Sequence, residues 1–182
     1  MKIQYAKIIP GLEINGKPAP YPVVNERAVR ATAGIMFLLG FSTFAYTLST
    51  HDYQFVKILV PLFWLDFFLK AVFTPEWSIF GVFGRFMVRK QKPEFVGAVQ
   101  KRFAWSIGLV LASTMAILAL MMGVRGLVPI MICSTCLFFM YMESVFGICV
   151  GCKIYQFLHD RELFIKKPEH KPACPGGVCS VE

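Results

Sequence analysis

The apolar stretch at residues 127–152 constrains the fold of this chain more than any other feature. It reads LVPIMICSTCLFFMYMESVFGICVGC, which exceeds the roughly 20 residues that an α-helix needs to cross a bilayer. It carries both C-x-x-C pairs of the chain, which are Cys133 with Cys136 and Cys149 with Cys152. It also carries one carboxylate, Glu143. Ionisable side chains are costly inside a membrane, so function is expected in this run.

The composition places the chain among polytopic membrane proteins. Of its 182 residues, 56% are hydrophobic and only 16% are charged, whereas about a quarter are charged in a typical soluble domain. The apolar residues gather into four runs, at 28–48, 54–73, 103–122 and 127–152. Asn25 is a good N-cap for the first of them, with Glu26 in the first turn. The sequence therefore predicts an all-α membrane protein with four transmembrane helices.

Two further segments complete the predicted organisation. Residues 77–99 mix aromatic and cationic side chains, which predicts an interfacial amphipathic segment between transmembrane helices 2 and 3. Residues 1–24 contain Asn15-Gly16 and several prolines, which indicates a small hairpin or an irregular cytoplasmic flap. The predicted domains are thus the flap at 1–24, a membrane domain at 25–158 and a cytoplasmic cysteine-containing tail at 159–182.

Positive charge predicts the orientation. The residues up to Arg30, the long middle connection and the residues from Lys153 onward hold 5, 6 and 5 of the lysines and arginines, while the two short connections hold only Arg125. The positive-inside bias therefore puts both termini in the cytoplasm. The N-terminus lacks the pattern of a cleavable signal peptide, so the first span is expected to direct insertion. The cations lie beside apolar runs, which indicates membrane topology and not nucleic-acid binding.

Four stretches resemble a known bacterial membrane family. They are PVVNERAVRATAGI, LDFFLKAVFTPEWS, KRFAWSIGL and ESVFGICVGCKIY, in this order over roughly residues 22–158. Together they resemble the family catalogued as domain of unknown function 4395. The resemblance implies an integral protein of the bacterial inner membrane in which Cys149 and Cys152 match a C-x-G-C motif. Members are often encoded near thioredoxin-like or sulfur-transfer proteins, which implies such a partner but supplies no reaction.

Cys149 and Cys152 are the first candidates for chemistry. A C-x-x-C pair suits dithiol–disulfide exchange, because one thiolate attacks and the second thiol resolves the mixed disulfide. If the helix breaks at residues 147–151, the pair lies at a new helix N-terminus, which lowers the pKa of a thiol; if the helix continues, the pair lies near a C-terminal end, with the opposite effect. The alternative is that both residues are small packing elements. We expect the two sulfurs to be presented at the cytosolic surface.

The tail carries a further pair, Cys174 and Cys179, in the turn-forming sequence PACPGGVC. Three interpretations stand side by side. The tail could be a swinging dithiol that exchanges with the membrane pair. It could instead complete a four-thiolate zinc or iron–sulfur site with Cys149 and Cys152. Finally, its thiols could simply stay reduced in the cytoplasm.

Cys133 and Cys136 are interpreted as packing residues. An electron path from this pair to Cys149 would have to cover about 24 Å along one helix, far beyond thiol contact. Such a relay would need a quinone, a moving tail or a partner protein.

The intramembrane charges form the last group of candidates, namely Arg30, Asp66, Lys70 and Glu143. An unpaired carboxylate in the membrane costs several kcal/mol, of order 2.5–3.5 at the centre of a helix, so partners are expected. One interpretation is a polar pocket in which Glu143 or Asp66 shuttles protons for thiol chemistry. The other is a structural layer in which Asp66 pairs with Lys70 or Arg30.

The sequence contains no nucleotide-binding, metalloprotease or nucleophile-elbow motif and no strong internal repeat. The leading hypothesis is a membrane thiol protein of sulfur or redox metabolism. It would exchange electrons or sulfane sulfur with a thioredoxin-like or rhodanese-like protein through Cys149 and Cys152. The alternatives are a transporter or channel for a small sulfur species, and a metal-binding membrane protein without catalysis. Whether the chain is an enzyme is left open.

Overall fold

The computed structural model describes residues 6–14, 17–18 and 21–161. The helices are α1 (Glu26–Thr50), α2 (Gln54–Phe68), α3 (Ile79–Val88), α4 (Ala98–Ala116), α5 (Leu127–Phe146) and α6 (Val150–Asp160). A π-helical turn extends α2 over Leu69–Phe73 and another extends α4 over Ile117–Met121, and a 3₁₀ turn covers Pro75–Trp77. The strands are β1 (Glu13–Ile14), β2 (Lys17–Pro18), β3 (Val23–Asn25) and β4 (Phe95–Gly97).

Three helical segments among the described residues are long and apolar enough to cross a membrane. They are Glu26–Thr50, Ala98–Met121 and Leu127–Phe146. The first begins as expected, because the Asn25 side chain accepts a hydrogen bond from the Arg27 backbone N–H at 3.2 Å. The last ends at Phe146 and not at Cys152, so the run at 127–152 is not one helix as its hydropathy indicates.

The N-terminal segment forms the small hairpin that the sequence indicated as one of two alternatives. β1 pairs antiparallel with β2, Glu13 opposite Pro18 and Ile14 opposite Lys17. This pairing lies on either side of the Asn-Gly step.

The segment at residues 77–99 contains α3, which presents two different faces. Phe80, Gly81, Gly84 and Val88 are buried, whereas Val82, Phe83, Phe86 and Met87 are exposed. The buried face packs closely on α1: a Cβ added at Gly84 would lie 2.2 Å from the Thr32 hydroxyl oxygen. α3 is therefore fixed to the first long helix, with an apolar face that the described residues leave uncovered.

The two halves of the chain repeat one another in the order of their elements. The first half runs β3–α1–α2–α3 and the second runs β4–α4–α5–α6. β3 and β4 pair antiparallel with Val24 opposite Val96, Val23 opposite Gly97 and Asn25 opposite Phe95, which is a register symmetric about the central valines. The flanking hydrogen bonds are symmetric too, from Glu26 N to Glu94 O (2.7 Å) and from Ala98 N to Pro22 O (2.9 Å).

The packing of the helices follows the same two-fold relationship. α1 packs on α3 as α4 packs on α6, and α1 packs on α5 as α4 packs on α2. Arg30 in α1 donates to the Val145 carbonyl at the end of α5 (3.2 Å), and Arg102 in α4 donates to the Ala71 carbonyl at the end of the extended α2 (2.8 Å). The two halves share the order of their elements and the pairing of their strands. The sequence shows no strong repeat because side chains at equivalent positions differ, for example Val29 and Lys101.

Candidate functional site

The candidate site begins where α5 ends, at Gly147. This residue has a φ of 67°, in the left-handed region that favours glycine, and its N–H bonds to the Met142 carbonyl. The N–H of Ile148 reaches the same carbonyl at 3.1 Å. A Cβ at Gly147 would also lie 3.1 Å from the Arg30 guanidinium carbon. Glycine therefore permits both the turn and the approach of Arg30.

Cys149 and Cys152 lie at the start of α6. The Cys149 carbonyl accepts the Lys153 N–H at 3.1 Å, so Cys149 caps the helix and Cys152 lies in its first turn. The structure thus has the first of the two arrangements considered from the sequence, the helix N-terminus. Both residues are free cysteines, and each thiol is close enough to the other to affect its protonation.

Lys101 of α4 lies beside the two thiols. Its ammonium nitrogen is 2.6 Å from Glu143 Oε1 and 2.8 Å from Glu26 Oε2, and its side chain has 0% exposure. It also interacts electrostatically with Cys149 and Cys152. We refer to these five residues, Glu26, Lys101, Glu143, Cys149 and Cys152, as the thiol–lysine cluster.

Sequence reasoning missed two members of this cluster. From the sequence, Glu26 is a first-turn charge of α1, and Lys101 is one of the cations that set the topology. One signal was available, since both residues adjoin apolar runs on the positively charged side of the membrane domain. Only the β3–β4 pairing shows that they meet, because it brings the starts of α1 and α4 together.

Electrostatics affect the protonation of the Cys152 thiol. Its pKa is raised, because its interaction with Cys149 and its burial both favour the protonated form; the Lys101 ammonium opposes this shift without overcoming it. At Cys149, the N-terminal dipole of α6 and the Lys101 ammonium supply positive potential.

Burial contradicts one expectation from the sequence. The two cysteines are only 4% and 2% exposed, so they are not presented at a surface in this conformation. α6 closes over them by packing on α4: a Cβ at Gly151 would lie 2.6 Å from the Ala104 Cβ, and the Tyr155 ring lies 5.5 Å from that of Phe103. The sequence could not show this, because it depends on how close α6 comes to α4.

Glu143 connects the cluster with a cavity of about 490 Å³. Its side chain is 17% exposed and borders the cavity, as do Val150 and Gly151. Cys149 and Cys152 are not among the described residues that line this space. The cavity is therefore linked to the sulfurs by two polar side chains: Glu143 borders the cavity and pairs with Lys101, and Lys101 interacts electrostatically with both thiols.

The members of the predicted charged layer have different partners, although Lys70 and Glu143 both border the cavity described above. Asp66 pairs with Lys70 at 2.5 Å, as one interpretation predicted, and also accepts hydrogen bonds from the Ser78 hydroxyl (2.8 Å) and the Phe80 N–H (3.1 Å). Arg30 binds carbonyls at the end of α5, and Glu143 belongs to the thiol–lysine cluster. The structure therefore does not bring Asp66 and Glu143 into one pocket wall; the Asp66 group ties α2 to α3.

The other cysteines lie apart from the cluster. The Cys133 sulfur is 3.8 Å from that of Met115, and both Cys133 and Cys136 are partly buried in α5. Cys174 and Cys179 fall outside the described residues, so the swinging-dithiol and four-thiolate hypotheses stay predictions. Within the described part of the chain, no three His, Cys, Asp or Glu side chains converge as they would around a metal ion.

The fold and this cluster define a class: a predominantly helical protein that fits a membrane environment, with a thiol pair against a buried lysine and two carboxylates. The chain belongs to the family described as Domain of unknown function (DUF4395), which matches residues 24–160. This confirms the family resemblance read from the sequence. No curated protein and no solved structure matches the chain.

Proposed function

We propose that this chain is an integral membrane thiol protein of sulfur or redox metabolism, whose reactive group is the Cys149–Cys152 pair. One observation carries the proposal: a C-x-x-C pair of buried thiols begins a helix and interacts electrostatically with a buried ammonium group. Positive potential at a helix N-terminus favours the thiolate that attacks, and a neighbouring protonated thiol is suited to resolve the product. A pair kept only for packing would need neither Lys101 nor its carboxylates.

The proposed setting is the bacterial inner membrane, with four spans and both termini in the cytoplasm. α2 with its π-helical turn forms an uninterrupted helical segment at 54–73. It would cross the membrane as the second of the four spans, in addition to the three long helices. α3 would lie in the interface, with its exposed Phe83 and Phe86 in lipid and the nearby cations toward headgroups. This places the thiol–lysine cluster at the cytoplasmic edge.

The proposed reaction is dithiol–disulfide exchange with a thioredoxin-like protein. The Cys149 thiolate attacks one sulfur of the partner's disulfide and forms a mixed disulfide, releasing the partner's other sulfur as a thiolate. Cys152 gives up its proton and attacks the Cys149 sulfur, which leaves a Cys149–Cys152 disulfide and a reduced partner. Two electrons pass to the partner, and the proton from Cys152 passes through Lys101 and Glu143 to the cavity.

The same pair suits transfer of sulfane sulfur. A Cys149 thiolate would take the outer sulfur of a rhodanese-like persulfide, becoming a persulfide itself and releasing the partner's thiolate. No net oxidation occurs in this step, so it needs no further electron acceptor. Cys152 would then attack the inner Cys149 sulfur and form the disulfide, releasing the transferred sulfur as sulfide.

Either reaction with a protein requires α6 to separate from α4, because the sulfurs are covered. The connection at 147–149 is short and non-helical, which would allow α6 to rotate about the end of α5. A small sulfur compound would instead approach through the cavity that Glu143 borders.

The test is to trap the mixed disulfide in native membranes. Cys152→Ser should accumulate a covalent complex with a cytoplasmic protein, because the resolving thiol is lost, and Cys149→Ser should not. Cys136→Ser is the matched control, being a partly buried cysteine outside the cluster. The proposal would be contradicted if Cys152→Ser trapped no partner protein and the variants did not differ in the labelling of their thiols by an alkylating reagent.

A second function is favoured by the cavities. A second cavity, of about 470 Å³, shares Phe67, Leu111, Cys136 and Met140 with the first, so four side chains separate the two spaces. Parallel repeats with a pathway between them occur among transporters. A transporter or channel for a small sulfur species is therefore the alternative. Uptake into proteoliposomes that is lost on Glu143→Gln but kept when Cys174 and Cys179 are serine would support it over thiol exchange.

A further inference from the structure

The second cavity contains a group of sulfur atoms that the proposed function does not use. It extends from the α1–α2 and α4–α5 connections, at His51 and Arg125, to Met140. Its wall contains two cysteines and two methionines from α4 and α5: Met115, Cys133, Cys136 and Met140. We call these four residues the sulfur group.

Three of the four sulfur residues lie along one side of α5. Cys133, Cys136 and Met140 are three and four residues apart, which places them on one helix face in successive turns. Met115 of α4 faces them, with its sulfur 3.8 Å from that of Cys133. Met115 and Met140 are buried, and Cys136 and Met140 also border the first cavity. Cys136 and Met140 therefore lie in the wall between the two cavities, whereas Met115 and Cys133 border the second cavity.

The chemistry of these ligands is soft. Thiolate and thioether sulfurs select Cu⁺, whereas hard cations require oxygen ligands. None of the described residues that line the second cavity is Asp or Glu, so the wall offers no carboxylate to a hard cation. Nor do three His, Cys, Asp or Glu side chains converge anywhere in the described part of the chain, as a usual zinc site would need.

We propose that the sulfur group is a binding site for a soft monovalent cation, Cu⁺, with Cys133 and Cys136 as its primary ligands and Met115 as a thioether ligand. Binding releases a proton from a cysteine thiol and forms a copper–thiolate bond, so that the ion and its ligand are together neutral. Neutrality matters here, because an uncompensated charge is costly in an apolar wall. Copper keeps its oxidation state throughout.

The charges on the cavity wall bear on how the ion arrives. Lys57 and Arg125 border the same space, and the Arg125 guanidinium lies 4.7 Å from the Tyr53 ring. These cations oppose the approach of a bare ion and favour a complex of Cu⁺ with an anionic small thiol. Transfer then exchanges one thiolate ligand for another.

The test uses the full-length chain in detergent with the other four cysteines changed to serine (Cys149, Cys152, Cys174 and Cys179). This removes the thiols of the proposed function, so the two proposals fail separately. Anaerobic titration with Cu⁺ against a chromophoric chelator should show about one ion per chain. Adding Cys133→Ser or Cys136→Ser should abolish binding, and Met115→Leu should weaken it, because one of the three sulfur ligands is lost.

Each variant is compared with its parent for elution volume and thermal midpoint, which identifies any that have lost their fold. Zn²⁺ is titrated in parallel and should not compete. Absence of Cu⁺ binding by the four-serine background, unchanged binding after Cys133→Ser and Cys136→Ser, or displacement of Cu⁺ by an equal amount of Zn²⁺ would overturn the proposal.

Discussion

Lys101 and Glu143 join α4 to the last turn of α5 through a 2.6 Å ion pair. Lys101 has no exposed surface, and its second partner, Glu26, comes from the first turn of α1. One ammonium group therefore connects three long helices at the point where the thiols lie.

Lys101→Met should destabilise the protein strongly. It leaves the Glu26 and Glu143 carboxylates without their shared cation, and breaking a buried ion pair from one side costs about 3–5 kcal/mol. Chemical unfolding in detergent, followed by circular dichroism, measures the change. Lys153→Met removes an exposed lysine near the same thiols and should change the free energy of unfolding by less than about 0.5 kcal/mol. Similar losses in the two variants would show that the buried pair has no special role.

Alkylation of Cys152 should keep accelerating at pH values where an ordinary thiol has levelled off. Its raised pKa means that less thiolate is present at a given pH than in an unperturbed cysteine of pKa about 8.5. Peptide mass spectrometry after timed labelling from pH 7 to 11 gives the profile for this residue. Unfolded protein is the reference, and a folded profile that coincides with it would contradict the raised pKa.

Gly151→Val should separate α6 from α4. Even a Cβ at this position would lie 2.6 Å from the Ala104 Cβ, and overpacking of this kind costs about 1–3 kcal/mol. We expect faster alkylation of Cys149 and Cys152, because the packing that covers them is weakened.

The matched control for this change is Gly34→Ala in α1. An added Cβ there would meet only the Ser144 Cβ, at an ordinary 3.6 Å, so labelling should be unchanged. Equal labelling of Gly151→Val and the unsubstituted protein would mean that contact of α6 with α4 does not limit access to the sulfurs.

Asp66→Ala should cost far more than the loss of an exposed acid nearby. It removes the partner of Lys70 together with the acceptor for Ser78 and Phe80, so the expected loss is about 3–5 kcal/mol. Glu76→Ala breaks an ion pair between two exposed side chains, Glu76 (52% exposed) and Lys7 (76% exposed). This change should cost about 0–1 kcal/mol. Thermal midpoints of the two variants in the same detergent provide the comparison.

Features written in local sequence were predictable. The start of α1 at the Asn25 cap and the Asp66–Lys70 pair one turn apart follow from spacing along one helix. The sequence does not decide whether the helix ends after Phe146, because glycine is tolerated inside membrane helices and ends a helix only where the last carbonyls find hydrogen-bond partners. Here Arg30, from the other half of the chain, satisfies them.

Features that depend on distant pairing were not predictable. A lysine next to an apolar run ordinarily extends to the interface, and only the approach of Glu26 and Glu143 makes burial of Lys101 acceptable. The burial of the thiols depends in turn on the close contact between Gly151 and Ala104. A single sequence holds no record of either contact.

The ribbon formed by β3 and β4 sets an order for biosynthesis. In the sequence, β3 precedes α1 and β4 follows α3. The ribbon therefore cannot form until the ribosome has translated Gly97. α1 is thus made before its final neighbours, and Glu26 is translated before its partner Lys101. Translation of the second half supplies the packing neighbours of α1 and the Lys101 side chain together. A chain truncated after α3 is therefore expected to be degraded by quality-control proteases.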